Sequence, residues 1–336
     1  MAYIHDKTKQ INTQVPPIVT ELIAIFRELP DAELLADLRG GTRRGPKGYD
    51  PKVLWHCFVA YYALGLPSTS DLIRTLYNNP YIARACGMDY PYGIPSQPTL
   101  SRFFTKLSSG YFRARVKRVF YALTRRLYDT FPDFGKSVAM DATDIKAWSN
   151  GAHKKPTDKH AGWVVKADTN GRGKFTWGYK ASILVDTTCE LPLGVKVTSG
   201  NVHETKAASP LLRQARYIYG RFHPEYVIAD SGYSSEKLRQ LIRWQYHATP
   251  IVKVNPAHKR AIKNHPETPE WQLIYNRRTS VERVFSRLKG HRKLNYVRVR
   301  GIHKVTVHCL LSLIVMQAKA LCPRQTTVRH RCLIKV

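Results

Sequence analysis

The sequence predicts an α/β fold, a mixed sheet flanked by helices and preceded by an all-α region, and three observations carry that prediction. Up to about residue 130, apolar residues recur at three- and four-residue steps, the period of a buried helical face. After Phe131-Pro132-Asp133, short runs rich in β-branched and aliphatic residues take over, in the order three strands, helix, strand, helix, strand, helix. The 336 residues are 43% hydrophobic, enough for real cores, which excludes an intrinsically disordered chain and a disulfide-stapled miniprotein.

In the helical region, Val53, Leu54, Cys57, Phe58, Tyr61 and Tyr62 mark one buried face over 51–64, and a turn at 65–67 ends it. Ser70 is placed to cap a short helix carrying Leu72, Ile73, Leu76 and Tyr77, and Thr99 to cap the next. That next helix turns Leu100, Phe103, Phe104 and Leu107 inward and Arg102 and Lys106 toward solvent. From 101 to 128 there are eight Lys/Arg and no acid. Short helices ending in basic ones suit a helix-turn-helix-like DNA reader, with Arg102 and Lys106 among its contacts, or equally a helical dimerisation or packing domain. The expected division is a helical DNA-binding or dimerisation domain over 1–133, a sheet-bearing domain over 134–322 and a basic tail over 323–336.

Strands are expected at 137–146, 179–186 and 193–199 as an antiparallel meander, with a turn through Thr187-Thr188-Cys189-Glu190. A helix at 204–219, strand at 226–229, helix at 235–244, strand at 248–254 and long helix at 275–289 complete the order. The stretch 150–174, rich in Gly, Lys and Asp, reads as a long loop with no assigned role. The apolar stretch 305–321 is interrupted by His308, Gln317 and Lys319 and is short for a bilayer span, so it reads as a buried helix and no membrane is expected. The first ten residues carry charges and no apolar run, which argues against a signal peptide. Six scattered cysteines without a C-x-x-C pair suit reduced thiols in the cytoplasm, and the grouping Cys322, His330 and Cys332 matches no zinc spacing.

Charge points to the partner. With 54 Lys+Arg against 24 Asp+Glu, the net charge of +30 calls for a polyanion. From 253 to 304, fourteen Lys/Arg face three Glu, with Trp271, Tyr275 and Tyr296 interleaved, which suggests a second DNA-contacting surface. Binding through such surfaces weakens steeply with salt, because each neutralised phosphate releases a counterion.

Three acids stand in apolar surroundings, where a carboxylate is costly unless compensated. Asp141 lies inside Val138-Ala139-Met140, Asp230 ends Val227-Ile228-Ala229, and Glu282 lies on the last long helix of the sheet region. Carboxylates on three separate elements are what oxygen-loving Mg²⁺ or Mn²⁺ requires. At about 100° per residue, Tyr275, Arg278, Glu282 and Lys289 share one helical stripe beside the apolar Val281, Val284, Phe285 and Leu288. A metal-binding Glu flanked by Arg and Lys suits a reacting phosphodiester, although a surface ion pair at i,i+4 explains Arg278 and Glu282 as well.

The spacing Y-x-x-R-x-x-x-E-x-x-x-x-x-x-K, here Tyr275, Arg278, Glu282 and Lys289, resembles the YREK signature of bacterial insertion-sequence DDE transposases. Met140-Asp141-Ala142-Thr143 is similar to the family's D-x-T strand, Ala229-Asp230-Ser231-Gly232-Tyr233 to its D-x-G-Y motif, and Gly200-Asn201-Val202-His203-Glu204 to its G-N-x-H-[DE] segment. The resemblance covers roughly 137–300, and 45–107 looks like the helical N-terminal domain of these enzymes. It implies an RNase H-like domain in which Asp141, Asp230 and Glu282 are catalytic and bind two divalent ions, Mg²⁺ or Mn²⁺. It also implies hydrolysis at the element ends, transfer of the freed 3′-hydroxyl into target DNA without ATP, and a homodimer bridging two terminal inverted repeats. Arg278 and Lys289 would then clamp DNA phosphates, with Tyr275 supporting them. Asp144, three residues beyond Asp141, points to the opposite face of a strand and is the lesser candidate. The separation of 52 positions from Asp230 to Glu282 leaves no room for the large β-rich insertion of some relatives, so the hairpin pathway tied to it is not carried over.

Two other readings stay open from sequence: a transposase-derived DNA-binding protein that no longer cuts, and a metal-dependent nuclease without strand transfer. A tyrosine recombinase is excluded, because none of the thirteen histidines begins an H-x-x-R box.

Overall fold

A single apolar helix near the end of the chain joins the helical region to the sheet. In the computed structural model, residues 15–40, 48–152, 155–167, 173–255, 267–295 and 297–323 are described. Among them, helices α1 (Pro17–Glu28), α2 (Ala32–Arg39), α3 (Pro51–Ala63), α4 (Thr69–Asn78), α5 (Pro80–Ala85), α6 (Gln97–Leu107) and α7 (Gly110–Thr130) precede the first strand, as expected. Two caps differ from the sequence reading. Ser68, not Ser70, caps α4, its Oγ accepting from Asp71 N at 3.1 Å, which leaves Ser70 inside the first turn. Helix α6 starts before Thr99, because Pro98 is suited to a first turn, where its missing N–H costs nothing.

The sheet holds β1 (Ser137–Lys146), β2 (Gly162–Ala167), β3 (Gly173–Asp186), β4 (Pro192–Ser199), β5 (Tyr226–Ala229) and β6 (Thr249–Val252). Strand β3 is antiparallel to β1, β2 and β4, while β1, β5 and β6 are mutually parallel. This is the mixed sheet flanked by helices that the sequence implies. Helices α8 (Thr205–Ile218) and α9 (Glu236–Tyr246) connect β4, β5 and β6. Strand β2 corrects the reading of 150–174 as a loop. Its core, Gly162-Trp163-Val164-Val165, alternates exposed Trp163 and Val165 with buried Val164, but the run is too short to stand out among Lys, Gly and Asp neighbours.

After β6 come α10 (Pro269–Tyr275), a 3₁₀ turn (Asn276–Arg278), α11 (Thr279–Arg292) and α12 (Ile302–Leu321). Helix α12 is, among the described residues, the one helix long and apolar enough to cross a membrane, and 83% of that stretch is buried inside the fold. It packs on α1, α3 and α7 and on β4 at once. Its one fully buried amide, Gln317, donates to Thr124 Oγ1 at 2.8 Å and to the Pro192 carbonyl at 2.9 Å, tying α7 to β4. Cys57, Cys86, Cys309 and Cys322 are buried free thiols. The predicted tail beyond 323, with His330 and Cys332, and Tyr296 lie outside the described residues.

Gly65 holds φ +62° at the turn after α3, and a Cβ there would stand 2.1 Å from the His291 backbone oxygen at the end of α11. Gly65→Ala is therefore expected to cost about 1–3 kcal/mol of stability, measured by urea unfolding.

His308 of α12 is buried against Tyr62, with Tyr62 Oη and His308 Nδ1 hydrogen-bonded at 2.7 Å, and burial pushes its pKa down to about 4. An unfolded histidine takes its proton near 6.5. The stability linked to neutral His308 is therefore present above about 6.5 and lost as pH falls through about 4. Asp186 works in the other direction: burial raises it to about 6, so its contribution is fully present below the unfolded aspartate value and is lost as pH rises through about 6. Between pH 7 and 5, unfolding free energy should fall less steeply in His308→Gln than in the wild type. Equal slopes would contradict this assignment.

Candidate active site

Strands β1 and β5 run parallel, and their pairing ends at Met140 opposite Ala229. The next residue on each is an aspartate, Asp141 and Asp230, at the carboxyl side of the paired segment where α/β sheets hold ligands. Glu204, which immediately precedes α8, joins them. One carboxylate oxygen from each of Asp141, Glu204 and Asp230 lies within 4.8 Å of the others. The D-x-G-Y motif has a local reason here. Asp230 Oδ1 accepts from Gly232 N at 3.0 Å, and a Cβ on Gly232 would crowd Asp230 Oδ1 at 3.1 Å and Glu204 Oε2 at 3.3 Å.

Asp141 accepts from Ala142 N at 2.7 Å and from Arg278 Nη1 at 3.1 Å. Burial nevertheless raises its pKa to about 6, helped by the neighbouring charges of Asp230 and Glu204, and these outweigh Arg278 and the backbone bond. Lys180 Nζ stands 3.6 Å from Glu204. The Tyr233 phenol is fully buried, and burial together with the charges of Glu204, Asp141 and Asp230 pushes it upward. This is a pocket of negative charge with an all-oxygen donor set, which fits a hard divalent cation.

The structure does not bring Glu282 into this group. Arg278 spans the gap, donating to Asp141 and, through Nη2, to Glu282 Oε1 at 2.7 Å. The Glu282 side chain is 54% exposed, against 16% for Asp141. Tyr275 lies beneath Arg278, with the guanidinium 5.9 Å from the ring centroid, and stacks on Trp271 at 4.9 Å. The expected continuous helix over 275–289 is broken at Asn276–Arg278. A side chain competes there with the helical ladder, since Thr279 Oγ1 donates to the Asn276 carbonyl at 3.0 Å. Beyond the break the predicted apolar face holds, since Val281, Val284, Phe285 and Leu288 are buried and α11 packs on β1 and β3. Arg283 and Arg287 on α11 pair with buried Glu190 in the β3–β4 turn, fixing the helix to the sheet. Lys289 is half-buried one turn before the end of α11.

Arg102 is exposed on α6, as expected. Lys106 is not turned to solvent: its ammonium donates to the Leu38 carbonyl at 3.3 Å and sits 4.8 Å from the Phe112 ring centroid, because a long apolar stem is better packed than hydrated. Asp144 is not part of the carboxylate group. From sequence, Glu204 is the end of G-N-x-H-[DE] and the start of the expected helix at 204–219, without a ligand role; its position just after a strand is the available signal.

The sequence model of the family described as Transposase DDE domain matches residues 133–317, and that of Transposase domain (DUF772) matches 11–106. A curated relative, the putative transposase for insertion sequence element IS6501 of Brucella ovis, is 33% identical over 104 residues, covering 31% of this chain and 71% of that one. Among solved structures, the piggyBac transposase synaptic complex with hairpin DNA aligns over 92% of this chain and 76% of its own, with 12% identity and a TM-score of 0.42. The Mos1 transposase paired-end complex aligns over 76% and 81%, with 13% identity and a TM-score of 0.22. Because the DDE family match spans more than half of the sequence, the chain belongs to the DDE transposases and is a DNA transposase, an enzyme of the polynucleotidyl transferase class.

Proposed function

We propose that this transposase cuts DNA at the ends of an insertion sequence and joins the freed 3′-hydroxyl to target DNA, with Asp141, Asp230 and Glu282 as its catalytic carboxylates. The observation that carries this reading is the gathering of Asp141, Glu204 and Asp230 oxygens within 4.8 Å of one another where β1 and β5 stop pairing. These residues would hold Mg²⁺ or Mn²⁺, as two ions, with Glu204 as an additional ligand. Bound there, divalent metal supplies Lewis-acid activation of the attacking hydroxyl and shields charge on the leaving oxygen.

The protein side of the mechanism turns on Arg278. Its guanidinium bonds to both Asp141 and Glu282. A DNA phosphate is a bidentate partner of comparable strength, so DNA entry draws Arg278 off the carboxylates and lets Glu282 reach the group. Tyr275 keeps the guanidinium oriented from below, and Lys289 and Arg102 contact backbone phosphates farther out. Lys106 supports the α6 surface from within. The DNA partner is the terminal inverted repeats and the target duplex, a homodimer bridges two ends, and no nucleotide is consumed because transesterification conserves the phosphodiester.

Cleavage of a labelled plasmid carrying the element's flanking ends tests this. Cutting should require Mg²⁺ or Mn²⁺, vanish in EDTA, and fall by more than about 100-fold in Asp230→Asn while DNA binding persists, since even outer-shell changes at metal sites cost about 10–100-fold. Binding without cutting in the wild type under either metal would overturn the reading. Glu204→Gln should raise the Mn²⁺ concentration needed for half-maximal cleavage by about 10–100-fold; an unchanged requirement would remove Glu204 from the ligand set.

A further inference from the structure

The outer end of the β2–β3 pair carries an exposed aromatic platform, on a face whose residues nearer Asp141 (Thr143, Ile145 and Tyr179) are buried. Ile145 and Tyr179 are directly opposed, and side chains alternate along a strand, so Asp141, Thr143 and Ile145 share a face with Tyr179, Trp177 and Phe175 of β3. Opposite the last two on β2 stand Trp163 and Val165. The Trp163 ring lies 5.3 Å from Trp177 and 6.5 Å from Phe175. Core aromatics of this chain are closed to solvent, yet Trp163 is 42% exposed and Phe175 63%. Together with Trp148, 53% exposed, these rings line a groove of about 910 Å³.

The groove is basic as well as aromatic. Lys146 and Lys174 line it, with Asp144 as the acid among the described lining residues, and the Arg298 guanidinium stands 5.6 Å from the Trp148 ring centroid. Open ring faces beside ammonium and guanidinium groups match unpaired nucleotides, whose bases stack on the rings while their phosphates meet the cations. A duplex cannot use the rings, because its base faces are already stacked on one another. A second copy of the chain is disfavoured, because it would bring the same excess of positive charge to the contact.

We propose that this groove binds the unpaired bases of a single DNA strand. The binding needs no metal and is separable from the catalytic reading. The test is titration of the full-length protein in EDTA with labelled oligo-dT and, separately, with a duplex of equal length, for the wild type and for Trp163→Ala/Phe175→Ala. Oligo-dT affinity should fall by about tenfold or more in the double variant, duplex affinity should stay within about twofold because it rests on phosphate contacts elsewhere, and oligo-dT should quench tryptophan fluorescence in the wild type. Unchanged oligo-dT affinity overturns the proposal, as does an equal loss for duplex. A change in sedimentation of the free protein with oligo-dT affinity intact assigns the platform to contact between copies and also overturns it. If the double variant unfolds, Phe175→Ser alone, at the more exposed ring, gives the same readout, and Phe175→Tyr should restore binding.

Discussion

Folding places three carboxylates within 4.8 Å of one another in a part-buried pocket, and the rest of the sheet region is arranged to make that repulsive gathering hold. Like charges at such distances are unfavourable in a medium less polar than water, and burial first, with Asp230 and Glu204 adding to it, holds the Asp141 pKa up at about 6. Two backbone facts impose the gathering. Strands β1 and β5 pair in register up to Met140 and Ala229, so each aspartate must follow at the same level. Gly232 then leaves space where any side chain would push Asp230 from Glu204. The protein's own relief is Arg278, which places a positive charge against Asp141.

The frame around this pocket is stiff where it needs to be. Each of Val281, Val284, Phe285 and Leu288 removes an apolar side chain from water, worth about 1.5–3 kcal/mol apiece, and these contacts set α11 on β1 and β3. Glu190 pins the same helix through two arginines, and Arg292 at its end donates to the Tyr62 carbonyl of α3 at 3.0 Å. Helix α12 then packs on both the helical region and β4, so the two regions share one continuous core. By contrast, the segment that carries Arg278 is a 3₁₀ turn between two helices, with none of its residues buried. Rigidity on either side of such a turn suits the proposed exchange of carboxylates for phosphate at Arg278.

Much of this was legible in the sequence because the signals are local. The strands at 137–146 and 226–229 and the apolar face of α11 follow from side-chain alternation and helical spacing, and both aspartates were marked by sitting at apolar strands. What escaped needed three-dimensional competition to decide. Strand β2 is too short to announce itself and exists because β3 offers it a partner. The helix break at 276–278 goes with the Thr279 hydroxyl bonding to the Asn276 carbonyl, which periodicity cannot weigh. Glu204 is brought to the aspartates by the return of the chain after β4, and Lys106 is drawn inward by the Leu38 carbonyl and the Phe112 ring. In each case a contact distant in sequence, or a side chain bonding to nearby backbone, overrode the pattern.

The central claim is that Asp141 and Asp230 form one cation site built by strand register. The most direct measurement is an anomalous difference map from crystals of the DNA-free protein grown with Mn²⁺. The account predicts a manganese peak within coordination distance of both aspartates in the wild type and its loss in Asp230→Asn. Manganese bound elsewhere, or a peak that persists unchanged in the variant, would contradict it.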